Sequence, residues 1–211
     1  NNRSNNNFLG VIMTNEKASC GDNAVATLQA NVTIPEGMGV EGFYQVECRD
    51  AAGNLKWDEE FPNLVVAVGK QLMLDTLLRG TSYSVTGPFL GLISNNTTFA
   101  AADTMTSKTW TEFTNYTVSS SAVRGTAVFA ASTSTGTTPS NVTTSAATAI
   151  TYTITGAGGT VYGCFLVTGT GAVNTQSSTA GTLYSEGNFS VAKAVTAGDT
   201  VSVTYSTTAT S

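Results

Sequence analysis

The chain has 211 residues, with 9 basic and 14 acidic side chains for a formal net charge of −5, and it contains no histidine. The missing imidazole excludes His-based triads, Cys–His dyads, HExxH zinc sites and histidine pH switches. Charged residues make up 11% of the chain, against roughly 25% in ordinary proteins, so Ser, Thr, Asn, Ala and Gly must dominate the surface.

The length allows one large β domain, or one domain plus an arm. Lys and Arg are scattered singly in an acidic chain, which lacks the clustered positive charge that neutralises phosphates, so no nucleic-acid partner is expected. No run approaches the roughly 18–20 apolar residues that span a bilayer. The apolar neighbourhood from Leu64 to Leu78 is broken by Gly69, Lys70, Gln71 and Asp75.

Residues 1–40 open on an Asn-rich stretch with isolated apolar groups and no sustained periodicity, and read as an extended N-terminal arm. Residues 41–211 read as one β-sandwich domain. Tyr44, Val46 and Cys48 alternate with polar residues, as in a strand with one buried face. Asp50, Gly53 and Asn54 supply a turn, and Leu55 and Trp57 resume the alternation, which predicts a hairpin.

Pro62 and Asn63 resemble a helix entry, with Asn63 as the cap of a helix at about 63–79 and Gly80 as its stop. Leu64, Val68 and Leu72, continued by Leu74, Leu77 and Leu78, give it a wide apolar face that should pack across a sheet. Further strands are predicted at 89–94, 109–118, 123–131, 149–155, 160–168, 183–184, 189–194 and 200–207. The segment Val161–Val167 is apolar on both faces, which suits a central strand. Ser132–Thr148, almost wholly Ser, Thr, Ala, Asn and Gly with Pro139, reads as a long surface loop. The pattern as a whole is mainly β: an antiparallel β-sandwich or jelly roll with one α-helix.

No catalytic set, cofactor motif or metal site emerges. Asp58, Glu59 and Glu60 alternate between strand faces and read as a solvated strand end rather than an acid pair. Gly169-Thr170-Gly171 lacks a GxGxxG frame, and Ser107-Lys108 reads as a turn. Cys20, Cys48 and Cys164 show no CxxC spacing; they read as buried free thiols, or as one disulfide with a thiol left over. The strand aromatics read as core, with a carbohydrate-stacking platform as the rival reading and Trp110 as its best member.

Charge is uneven: 19 of the 23 charged residues precede position 115, leaving Arg124, Glu186, Lys193 and Asp199 behind. This predicts an attachment side built from arm, hairpin and helix, and an outward side built from the hydroxyl-rich second half.

The stretch from Gly42 to Trp57, with Phe61-Pro-Asn-Leu-Val, Gly69-Lys-Gln-Leu-Met-Leu-Asp and Gly87-Pro-Phe-Leu-Gly-Leu-Ile, resembles a widespread group of tailed-bacteriophage virion proteins. Further matches are Ala102-Asp-Thr-Met with Trp110-Thr-Glu, Gly163-Cys-Phe-Leu-Val, Gly181-Thr-Leu-Tyr-Ser-Glu and Gly198-Asp-Thr-Val-Ser-Val-Thr-Tyr. The resemblance runs from about residue 42 to the end. It implies a non-enzymatic virion component assembled in the host cytoplasm: a capsid decoration or cement protein, or part of a head or tail fibre that binds a receptor or glycan. Its expected partners are the major capsid protein or other virion proteins, and copies of itself as a dimer or trimer. Phe8, Leu9, Val11, Ile12 and Trp110 are the candidate contact residues.

Overall fold

The computed structural model describes residues 39–79, 85–133, 140–142 and 149–210, with backbone alone at 140–142 and 210. Phe8, Leu9, Val11, Ile12, Cys20, Gly80 and most of the predicted 132–148 loop lie outside the described residues. The elements in chain order are β1 (Gly39–Arg49), β2 (Leu55–Pro62), β3 (Leu64–Val65), α1 (Ala67–Leu78), β4 (Thr86–Ile93), β5 (Glu112–Phe113), β6 (Tyr116–Thr117), β7 (Gly125–Thr126), β8 (Ser140–Val142), β9 (Ile150–Ile154), β10 (Gly159–Gly169), β11 (Thr182–Val195) and β12 (Thr200–Thr210).

They form two antiparallel sheets and a single helix. Sheet 1 has the order β2-β1-β12-β9-β6, with β8 also pairing with β12; sheet 2 has the order β3-β11-β10-β4-β5, with β7 also pairing with β4. The hairpin forms as the sequence predicts. Asp50 Oδ1 accepts the backbone N–H groups of Ala52 and Asn54 at 2.9 and 2.8 Å, which closes an Asx turn, and Gly53 takes the left-handed φ of 88° that the turn requires.

β1 and β12 pair along their whole length, from Gly39 opposite Thr210 to Arg49 opposite Thr200. Tyr44 faces Tyr205, Val46 faces Val203 and Cys48 faces Val201, and all six are buried. These cross-strand pairs, with Ile150, Tyr152 and Ile154 of β9, form one wall of the main core. Leu90, Leu92, Val161, Cys164 and Leu166 of sheet 2 form the other. Each such side chain contributes about 1.5–3 kcal/mol by leaving water. The buried tyrosines keep their hydroxyls satisfied: Tyr44 reaches Ser185 Oγ at 2.8 Å and Tyr152 donates to Leu90 O at 2.7 Å.

Sheet 2 is buried on both faces. Phe165, Val167 and Leu183 join Val66, Ile93, Met105, Trp110 and Ala172 in a second cluster on its far side. This is why Val161–Val167 carries no polar stripe: β10 is central in its sheet and has core on either side of it.

The structure corrects the sequence reading at several points. Asn63 does not cap the helix: α1 starts at Ala67 behind Val66, which makes no side-chain cap bond. The Asn63 amide instead donates to Tyr205 Oη at 2.8 Å, and Leu64–Val65 pairs with Ser185–Glu186 of β11 as a short strand. The predicted strands at 183–184 and 189–194 are one strand, β11, whereas 109–118 and 123–131 are mostly irregular, holding the short strands β5, β6 and β7 and isolated bridges such as Val123 to Thr175. Within the predicted 132–148 loop, Ser140–Val142 pairs with Ser206–Thr208 as β8.

Candidate interaction surfaces

Trp110 cannot serve as an exposed stacking platform. It is 2% exposed, lies 4.5 Å from the Phe165 ring, and donates its indole N–H to Glu186 Oε2 at 2.6 Å. The residue expected beside the Ser/Thr-rich surface is part of the second core, because an indole in such a site needs an acceptor and β11 supplies one. Around it, the irregular 94–111 segment is closed at its ends by Ser94 Oγ to Thr111 Oγ1 at 2.7 Å and by Asn95 Oδ1 accepting Thr111 N–H at 2.6 Å, and is tied to β11 of sheet 2 by the Asn188 amide donating to Thr97 O at 2.9 Å.

The carboxylate run on β2 divides as strand alternation requires. Asp58 and Glu60 point outward, but Glu59 turns inward, bonds Lys193 Nζ at 2.7 Å and accepts the Ser190 N–H at 2.6 Å. Burial pushes Glu59 up, yet Lys193 and Ser190 outweigh it and hold the carboxyl below its usual range. Glu59 is therefore not part of a solvated strand end. It ties β2 to β11 and occupies a backbone N–H of β11 that would otherwise lie open.

All four charged residues after position 114 are engaged in the body of the fold. Arg124 pairs with Glu112 at 2.7 Å, Lys193 with Glu59, and Asp199 with Lys56 at 2.5 Å. Glu186 accepts from Trp110, and Asp103 lies beside it. Burial, opposed by the Trp110 N–H and reinforced by Asp103, pushes the Glu186 carboxyl up to about 8. The sequence reading singled out none of these roles. The available signal was scarcity, because a charge retained in a nearly neutral half tends to have an internal partner.

The expected division into a charged attachment side and a hydroxyl-rich outward side also changes. The hairpin β1–β2 and the hydroxyl-rich strands β12 and β9 share sheet 1, while α1 packs beside β11 of sheet 2. The outer face of sheet 1 is thus graded from one edge to the other. Glu41, Asp58 and Glu60, which have no charged partner among the described residues, lie at the β2 side, and Ser202, Thr204 and Thr151 lie beyond β1. A groove of about 270 Å³ crosses this face, lined by Gln45, Glu47, Asp58, Ser202 and Thr204.

The helix is rich in leucine, interrupted by Lys70, Gln71, Asp75 and Thr76, and part of its apolar surface is uncovered. Gly69 and Leu72 are buried, with Gly69 so close to β11 that a Cβ there would stand 2.5 Å from Tyr184 O. Leu74, Leu77 and Leu78 are 49%, 76% and 74% exposed. At i, i+3 and i+4 they form a continuous apolar stripe. The expectation that the wide apolar face packs across a sheet therefore holds for Leu72 but not for Leu74, Leu77 and Leu78.

Cys48 and Cys164 are buried free thiols, and burial raises both, Cys48 to about 11. Among the described residues no group of three or more Cys, Asp or Glu side chains is placed to hold a metal ion. No helix among them is long and apolar enough to cross a membrane. No protein family, curated protein or solved structure matches the chain.

Proposed function

We propose that the protein is a non-enzymatic virion component that decorates or cements a phage capsid. One observation carries the reading: the exposed Leu74, Leu77 and Leu78 stripe belongs to the helix packed on β11 of sheet 2, whereas the hydrophilic outer face belongs to sheet 1. A protein that adheres to a repeating lattice needs an apolar contact and a solvated face, and this fold supplies them on different layers. The motif resemblance supports the same role. So do the ion pairs of Lys56 with Asp199, Arg124 with Glu112 and Lys193 with Glu59, which hold strands and loops together.

In this reading α1 faces the capsid, and the arm of residues 1–40 adds apolar contacts through Phe8, Leu9, Val11 and Ile12. Sheet 1 faces outward. The test is the stability of virions with and without the protein under heat or osmotic shock. Earlier rupture of particles lacking it is expected, and equal survival overturns a cementing role.

A second reading rests on the groove of sheet 1. Its amide, carboxylates and hydroxyls match the hydrogen-bonding needs of a glycan, as in a fibre or adhesin module. Glycan-array binding that is lost in Gln45→Ala and Thr204→Val variants supports it, and an array with no bound glycan overturns it.

A further inference from the structure

Glu186 lies in β11 with no exposed surface, and its two oxygens have unlike surroundings. Oε2 accepts the Trp110 indole N–H at 2.6 Å, whereas Oε1 is buried and meets no donor among the described residues. The Glu186 carboxyl interacts with another acid, Asp103, itself 7% exposed, whose Oδ2 accepts the Ala100 N–H at 2.8 Å. Two carboxylates cannot bond one another, since both only accept. One proton between them removes the difficulty, giving Oε1 a role and Asp103 a donor.

The remaining neighbours do not supply an alternative. Lys108, on the same 94–111 segment as Asp103, directs its ammonium to Met105 O at 2.9 Å and over the Trp110 ring. β3 presents Leu64 opposite Glu186, and β10 presents Phe165, neither of them charged. Beyond Phe165, Arg124 and Glu112 neutralise each other. On α1, Lys70 and Arg79 are exposed and Asp75 pairs with Arg79.

We propose that Glu186 is a protonated acid at neutral pH that donates from Oε1 to the Asp103 carboxylate, and that this shared proton latches the 94–111 segment over sheet 2. The proton comes from solvent and returns to it. When it leaves, two carboxylates face each other in a dry site, and the side that can yield is the segment with little strand pairing. Trp110 then leaves Phe165, and the far face of sheet 2 opens at alkaline pH.

The experiment uses the full chain in a Trp57→Phe background, so that Trp110 is the sole indole. The infrared spectrum at about pH 6 should contain a carboxylic-acid carbonyl band that Glu186→Gln removes. Trp110 emission should shift to the red with a midpoint near 8. In Glu186→Gln it should stay flat, because the amide oxygen still accepts from Trp110 and the amide N–H still donates to Asp103. Asp103→Asn should lower the midpoint by about one pH unit or more, since it removes the neighbouring charge. Absence of the carbonyl band, or a Glu186→Gln titration like the parent's, overturns the proposal. So does a midpoint that calcium or magnesium displaces, because the site would then hold a metal ion in place of the proton.

Discussion

Arg124 and Glu112 hold one another at 2.7 Å with 1% and 2% of their side chains exposed. Neither is left with an idle group. Arg124 also donates to Ser178 O at 2.7 Å and Val173 O at 3.3 Å, and Glu112 accepts from Ser177 N–H at 2.7 Å and Tyr116 Oη at 3.2 Å. The pair therefore joins β5 to the turn after Ala172 and to the approach to β7, regions with little strand pairing of their own.

Breaking this pair should be costly. Arg124→Met leaves a buried carboxylate uncompensated and should destabilise the fold by about 3–5 kcal/mol. The double variant Glu112→Met, Arg124→Met should cost much less than the two single variants combined, since it removes both desolvated charges. Urea unfolding of the four proteins checks the coupling; simple additivity would show the two side chains acting independently.

Trp110→Phe tests the second core. The ring stack on Phe165 can persist, but Glu186 Oε2 loses its donor, at roughly 1–3 kcal/mol for a buried group left unsatisfied. A lower unfolding midpoint is expected. Because Trp110 is buried, any glycan affinity the protein shows should be the same in this variant, as binding measurements on both can establish.

Acid should weaken the fold through Asp199 and Glu59. Burial pushes Asp199 up, but Lys56 and the Thr196 N–H and hydroxyl outweigh it and hold it below its usual range. Both carboxyls are thus depressed in the folded state. Their stabilisation is present above the unfolded-state values, near pH 4, and is lost as pH falls through the folded ones. Asp199→Asn should flatten the acid limb of a stability-against-pH curve, and an unchanged limb would place the titrating groups elsewhere. Glu186 acts with the opposite sign: its raised value means that its contribution is full below the unfolded value and declines as pH rises toward about 8.

The two sides of α1 should respond differently. Leu77→Ser with Leu78→Ser alters exposed positions and should change stability by no more than about 0.5 kcal/mol per site, while the proposed capsid role predicts weaker attachment to capsids. Gly69→Ala drives a methyl into the Tyr184 carbonyl and should cost about 1–3 kcal/mol by lifting the helix from β11. Unfolding curves together with co-sedimentation on capsids separate the two effects.

The inward alternation of Tyr44, Val46 and Cys48 was legible because it depends only on the twofold repeat of a strand. The same holds for the Asp50–Asn54 turn, whose bonds are local. Asn63 was misread because its amide is used 142 positions away, at Tyr205. β11 looked like two strands because Ser185 and Glu186 interrupt its apolar run, and their partners, Tyr44 and Trp110, lie on distant segments. Trp110 resembled a surface residue for the same reason: its neighbours in sequence are polar, and its acceptor is 76 positions away.

The pairing of Gly39 with Thr210 has a mechanical consequence. Both ends of the described sandwich leave sheet 1 at one pole, on adjacent strands. A load applied between them would meet the β1–β12 hydrogen bonds one after another, as a zipper does, rather than all together in shear. Tension entering through the segment before Gly39 alone, with sheet 1 free to turn, spares that seam. The anchoring point, more than the strength of the core, would then set how much pull the protein withstands.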